Sequence, residues 1–142
     1  MVDVEEIDLK NVNLEKYDKK VGDSKDFVCV ICPNSCRLHV EVGPTGEVDV
    51  QGYQCKRGFE YGIQEFLQPI RMLITTMKIE NGVLPVIPVR SNKEVPRERI
   101  FDAIEVVNQT VAQAPVKMGD ILVDNLLDLG IHVIASRDME AK

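Results

Sequence analysis

With 142 residues, 44% of them hydrophobic and 28% charged, the chain is long enough for one ordinary domain or two small lobes, and can bury apolar surface without a cross-link in every loop. No run of the sequence approaches the roughly 18 apolar residues of a membrane span. A net charge of -6, from 23 acidic against 17 basic residues, has the wrong sign for a general nucleic-acid surface and leaves small molecules or other proteins as partners.

The first 23 residues, opening MVDVEEIDLK, are acidic where a secretory leader would be basic and then apolar. The expectation is a cytoplasmic protein in a reducing compartment. Residues 1–23 predict an extended or loosely held arm ending at GDSKD. From Phe27 the pattern changes: Leu38, Val40 and Val42 alternate with Arg37, His39 and Glu41, the period of a half-buried strand. GPTG turns the chain and EVDVQ can return it, giving a hairpin over 36–51 with Cys36 at its entrance and Cys55 just beyond its exit. In KRGFEYGIQEFLQP, the spacing of Phe59, Ile63, Phe66 and Leu67 predicts a short helix stopped at Pro69.

IRMLITTMKIENGVLPVIPVR follows as two β-rich runs, with Asn81 and Gly82 suited to a tight turn between them. Pro85 and Pro88 predict that the second run is an edge strand or an extended connector. Pro96 then fits the first turn of a helix whose stripe is Ile100, Ile104, Val107 and Val111, ended by Pro115. Two short strands follow at 121–123 and 131–135, with Gly130 closing the turn between them. The reading is an α+β protein: an acidic arm at 1–23, a small β-rich metal-binding lobe over 24–90, and a small α/β lobe over 91–142.

The chemistry lies in the cysteines. Cys29, Cys32 and Cys36 form CxxCxxxC, and Cys55 follows after 18 residues. Thiolates two residues apart can bind one centre from a single turn, a third widens the cage, and a distant fourth closes it. The uneven spacing suits the spread corners of a [4Fe–4S] cluster, whereas zinc more often takes two CxxC pairs. On spacing alone, cluster and zinc both remain open. A disulfide or simply buried thiols fit poorly with a reducing compartment, and a redox pair of Cys29 and Cys32 lacks the βαβ context such pairs open.

Other residues carry less. His39 could replace a cysteine ligand, but its place on the polar face of the strand predicts a solvent-facing histidine. His132 has no carboxylate or nucleophile motif around it, and Met72 and Met77 predict core packing. Lys56 and Arg57 put positive charge beside four thiolates, which raises a cluster's reduction potential. GPTG and KMGD are too short for phosphate loops, and no nucleotide fingerprint or catalytic acid, base or nucleophile stands out.

The run from Cys29 to Lys78 resembles the N-terminal iron–sulfur segment of molybdopterin-dependent oxidoreductases such as formate dehydrogenases and nitrate reductases. The matching positions are Cys29, Cys32, Cys36, Cys55, Arg57, Gly58 and Arg71. The 18-residue gap is shorter than in those enzymes, and 64 residues after Lys78 are too few for their pterin domains, so a complete molybdenum enzyme is not expected and Arg57 loses its pterin-side role. The whole chain, including KMGDILVDNLLDLGIHVIASRD, is similar to a small prokaryotic family described by its CXXC-type pairs, whose members are often encoded beside flavin-dependent dehydrogenases. That resemblance implies an iron–sulfur electron-transfer subunit with a flavoprotein dehydrogenase partner, its 4Fe-4S cluster on Cys29, Cys32, Cys36 and Cys55 and Arg57 beside it. The alternative is a zinc-stabilised structural or protein-interaction module using the same four cysteines.

Overall fold

In the computed structural model, which describes residues 5–142, the mixed α+β chain divides into two units, Met1–Pro69 and Ile70–Lys142. The alternation at residues 37–42 sets the first unit. Strands β1 (Ser24–Val28), β2 (Arg37–Val42) and β3 (Val48–Gln51) form an antiparallel sheet in that order. Leu38, Val40 and Val42 are buried on one face of β2, while Arg37 is exposed and His39 and Glu41 are partly so. The predicted hairpin is present, pairing Val42 with Val48 and Val40 with Val50.

Helix α1 (Lys56–Leu67) covers the buried face. Its Ile63, Phe66 and Leu67 join Val40, Val42, Val48 and Val50 in one core, and Pro69 follows its end as expected. The helix sits close to the sheet because Gly62 has no side chain. A Cβ there would lie 3.1 Å from Val50 Cγ1 and 3.5 Å from Leu38 Cδ1.

The arm differs from expectation. Ile7, Leu9, Val12, Leu14 and Tyr17 pack against the same core. The Val48 N–H donates to the Leu9 carbonyl at 2.8 Å, and Val42 N–H to that of Asp23 at 2.8 Å. Acidic side chains hid an apolar residue at every second or third position from Ile7 to Tyr17, and those residues fasten the arm.

The second unit contains β4 (Ile70–Arg71), β5 (Ile74–Glu80), β6 (Val86–Ser91), β7 (Val95–Pro96), α2 (Ile100–Gln109), β8 (Val111–Gln113), β9 (Ile121–Leu126) and β10 (Ile131–Ala135). Its main sheet has the order β8-β5-β6-β10-β9, and β4 pairs with β7 separately. All these pairs are antiparallel except β5 with β8. Met77, Ile87, Val89, Ala103, Val107 and Val133 are at the centre of its core. Met72, expected in a core, is 40% exposed.

Three local expectations change here. Strand β6 is central, despite Pro88. The Pro88 carbonyl accepts from Ser136 N–H at 2.9 Å, so its missing donor points toward β10 just past Ala135, where that strand ends. The ladder loses a bond it was about to lose anyway. The link after β5 is also no tight turn. It spans residues 81–85, with Asn81 at φ 61°, and is tied to the tail by Lys142 N–H on the Asn81 carbonyl at 2.9 Å and Val83 N–H on that of Glu140 at 3.2 Å. Finally, α2 begins after a 3-10 turn at Arg97–Arg99 and ends at Gln109. Pro96 lies in β7, and Val111 is a 44% exposed residue of β8, outside the helical stripe. Residues 70–90, expected with the cysteines, instead supply β4, β5 and most of β6 of the second unit. Among the described residues, no helix is long and apolar enough to cross a membrane.

Truncating the first core by Ile63→Ala is expected to cost about 2–5 kcal/mol in urea unfolding. In the second unit, Ser91 is wholly buried and its Oγ accepts from Leu73 N–H at 3.0 Å. Ser91→Ala strands that donor and should cost about 1–3 kcal/mol, measured by the same method.

Candidate thiolate site

All four cysteines lie in the first unit and none is in a disulfide. Cys29 directly follows β1 and Cys36 directly precedes β2. The Cys29 N–H donates to the Cys36 carbonyl at 2.8 Å, which extends the ladder one pair past Val28 and Arg37. Residues opposed in this way have Cβ atoms about 4.5–5.5 Å apart. Cys32 lies in the loop between them, half-buried, and the chain re-enters β2 through Ser35 at φ 55°.

Cys55 arrives from the other side of the hairpin. Gly52, at φ +88°, carries the chain past the end of β2, where a Cβ would lie 2.0 Å from the Arg37 carbonyl oxygen. The Tyr53 ring then meets Phe59 edge-on at 5.0 Å between centroids. Cys55 becomes the N-cap of α1, its Sγ accepting from Gly58 N–H at 3.4 Å. The positive end of a helix suits a sulfur that carries negative charge, as a metal-bound thiolate does.

The two approaches meet at Gly58. A Cβ on that residue would lie 3.7 Å from Cys29 Sγ and 3.9 Å from Cys55 Sγ. Thus Cys29 and Cys55 share one small volume, Cys36 stands opposite Cys29, and Cys32 is in the loop joining them. Cys29 is buried, Cys32 and Cys36 are half-buried, and Cys55 is exposed. Cys29 and Cys55 flank a space that a single methyl group would invade, and with Cys32 and Cys36 they make up a set of thiols of the kind that holds iron–sulfur or zinc. Among the described residues, no group of three or more His, Cys, Asp or Glu side chains is placed to hold a metal ion. Gly52 and Gly58 were not singled out for these roles from sequence, although GYQCKRG contains both.

Arg57 is an exposed residue in the first turn of α1. Lys56 is already shared between Glu5 and Glu60, its Nζ 3.6 Å from each carboxylate. Arg71 lies in β4 of the second unit and donates through Nη1 to the Ile70 carbonyl at 2.7 Å.

His39 is held away from ligand duty. Its Nδ1 is 2.5 Å from Asp26 Oδ1, on the facing residue of β1, and its Nε2 is 3.4 Å from Glu41 Oε2. These bonds, Asp26 first and Glu41 next, raise its pKa above the ordinary histidine value by favouring the imidazolium. His132 Nδ1 similarly lies 2.9 Å from Asp124 Oδ1, a carboxylate partner that its sequence surroundings did not suggest.

The fold defines a two-unit α+β protein whose four cysteines all lie in its first unit. The chain belongs to the DUF1667 family, described as proteins of unknown function, whose match covers residues 56–137. The match starts one residue after Cys55, so the four cysteines stand outside it. The NMR structure of protein CPE0013 from Clostridium perfringens, a structural-genomics target, is similar at 21% identity and a TM-score of 0.47, over 53% of this chain and 87% of that one. No curated protein matches the chain.

The His39 interaction gives a pH prediction. Because the folded-state pKa is raised, its stabilisation is fully present below the ordinary value of about 6.5 and fades as pH rises through the raised one. Asp26→Asn should move the His39 midpoint down in an NMR titration of the ring protons. An unchanged midpoint would contradict the assignment.

Proposed function

We propose that the chain is an electron-transfer subunit holding one [4Fe–4S] cluster on Cys29, Cys32, Cys36 and Cys55. One observation carries this reading. Thiols from two separate segments, the β1–β2 loop and the start of α1, converge on the space beside Gly58. When bound, such a cluster supplies a one-electron carrier.

The chain's own groups then have defined tasks. The four sulfurs would hold the cluster. The Gly58 N–H bonded to Cys55 Sγ at 3.4 Å would favour the more negative, reduced state of a bound cluster, and the charge of Arg57, two residues after Cys55, would act in the same direction. Burial of Cys29 limits access of water and oxygen on that side, while exposed Cys55 marks the side open to a partner.

The finer features rest on resemblance. CxxCxxxC, a hairpin and then Cys55-Lys56-Arg57-Gly58 follow the order of the iron–sulfur segment of molybdopterin oxidoreductases. The similarity to the family described by CXXC-type pairs supports a flavoprotein dehydrogenase as electron partner.

The test is anaerobic purification followed by iron, sulfide and zinc assays and a visible spectrum. About four irons with matching sulfide and broad visible absorption are expected. One colourless zinc per chain would sink the cluster in favour of a zinc-stabilised interaction module. A second outcome follows from the apolar core of the first unit. Stripping the metal with a chelator should remove the colour and leave the far-UV circular dichroism of the chain in place, unlike a zinc finger, which unfolds.

A further inference from the structure

Gly58 is buried, in the first turn of a twelve-residue helix. Glycine weakens a helix relative to alanine, so its presence there needs a reason. Backbone conformation does not supply one, since Gly58 lies outside the positive-φ residues of the chain. Protein packing does not supply one either. The atoms a Cβ would meet are Cys29 Sγ at 3.7 Å, Tyr53 Cβ at 3.7 Å and Cys55 Sγ at 3.9 Å, all ordinary van der Waals contacts. Gly62, one turn on, is different, because there Val50 Cγ1 at 3.1 Å excludes a side chain. A side chain at Gly58 would therefore sit in contact with both Cys29 Sγ and Cys55 Sγ, and glycine leaves that position open.

We infer that Gly58 is a positioning residue that sets the size of the group the four cysteines accept, leaving beside α1 the room that a sulfide-bridged iron cluster needs and a single zinc ion does not. This rests on the cluster reading above. A zinc ion lies inside its thiolate tetrahedron, with sulfurs at about 2.3 Å, and adds no further atoms. A [4Fe–4S] cluster places irons and inorganic sulfides of its own between the cysteine sulfurs. A methyl group touching both Cys29 and Cys55 would intrude on those atoms and would not obstruct a lone ion.

The experiment uses the full chain as wild type, Gly58→Ala and Gly58→Val, each prepared without metal and then reconstituted without oxygen, either with iron and sulfide or with zinc alone. Three quantities are read: the thermal midpoint of the metal-free protein, cluster retention under a chelator challenge, and zinc affinity by competition with a coloured chelator. For Gly58→Ala, the metal-free midpoint should hold or rise, zinc affinity should stay the same, and cluster retention should fall by about tenfold or more, with Gly58→Val falling further. Equal cluster retention in wild type and both variants would overturn the role of Gly58 while leaving the cluster reading intact. Parallel losses of zinc and cluster would overturn the size selection. A metal-free Gly58→Ala chain that does not fold would overturn it as well, because its packing would then require glycine. A wild type that takes up zinc and no cluster removes the reading on which the inference rests.

Discussion

The close seat of α1 on the three-stranded sheet is the constraint on which the candidate site depends. Gly62 lets the helix axis come down until Val50, Leu38 and Val40 surround the position of its missing side chain. That approach buries Ile63, Phe66 and Leu67, and it also fixes where the helix begins. Since Cys55 is its N-cap, the same contact that builds the core delivers the fourth sulfur to Cys29. The hairpin does the rest, because β1 and β2 cannot pair in their register without placing Cys29 opposite Cys36.

The second unit answers a different problem, a sheet of short strands with proline among them. Its central strand tolerates Pro88 because the strand's two edges use alternate residues. Odd positions bond β5 while even ones face β10, and Pro88 falls where β10 has run out. Past the end of β10 the Ser136 N–H takes up the Pro88 carbonyl, and the returning tail ties down the 81–85 link. A proline read alone predicts an edge; its register within the sheet decides whether the lost donor matters.

That difference describes what was legible in the sequence. Where one residue pattern determines one outcome locally, the reading held: alternation gave the β2–β3 hairpin, the apolar spacing before Pro69 gave α1, and two β-branched runs around Gly130 gave β9 and β10. Of the four cysteines, Cys29 and Cys55 flank the space beside Gly58. Where the outcome depends on a partner distant in sequence, the reading fell short. The arm reads as polar until Leu9 is seen bonded to Val48, and β6 reads as an edge until β10 lies beside it. The stripe of α2 reads through to Val111 until that residue pairs with Lys78 in a parallel strand. The glycines around Cys55 are similar. Their identities are plain, but the need for Gly52 comes from the Arg37 carbonyl and that for Gly62 from Val50, both more than ten residues away in sequence.

The balance between the two metal readings turns on what the first unit requires in order to fold. A zinc module of this size typically lacks a core and is held by its metal. Here seven residues, from Val40 to Leu67, form a core with none of the cysteines in it, and five apolar residues of the arm cover it further. Ring contacts of Phe27 with Tyr61 and Tyr53 with Phe59 add support where the cysteine segments meet α1. Three of the four cysteines are also positioned by a contact that exists without any metal: a backbone ladder bond for Cys29 and Cys36, a helix cap for Cys55. A metal added to such a scaffold has little folding left to do, so its presence would be explained by its own chemistry, and that favours the electron carrier over the structural ion.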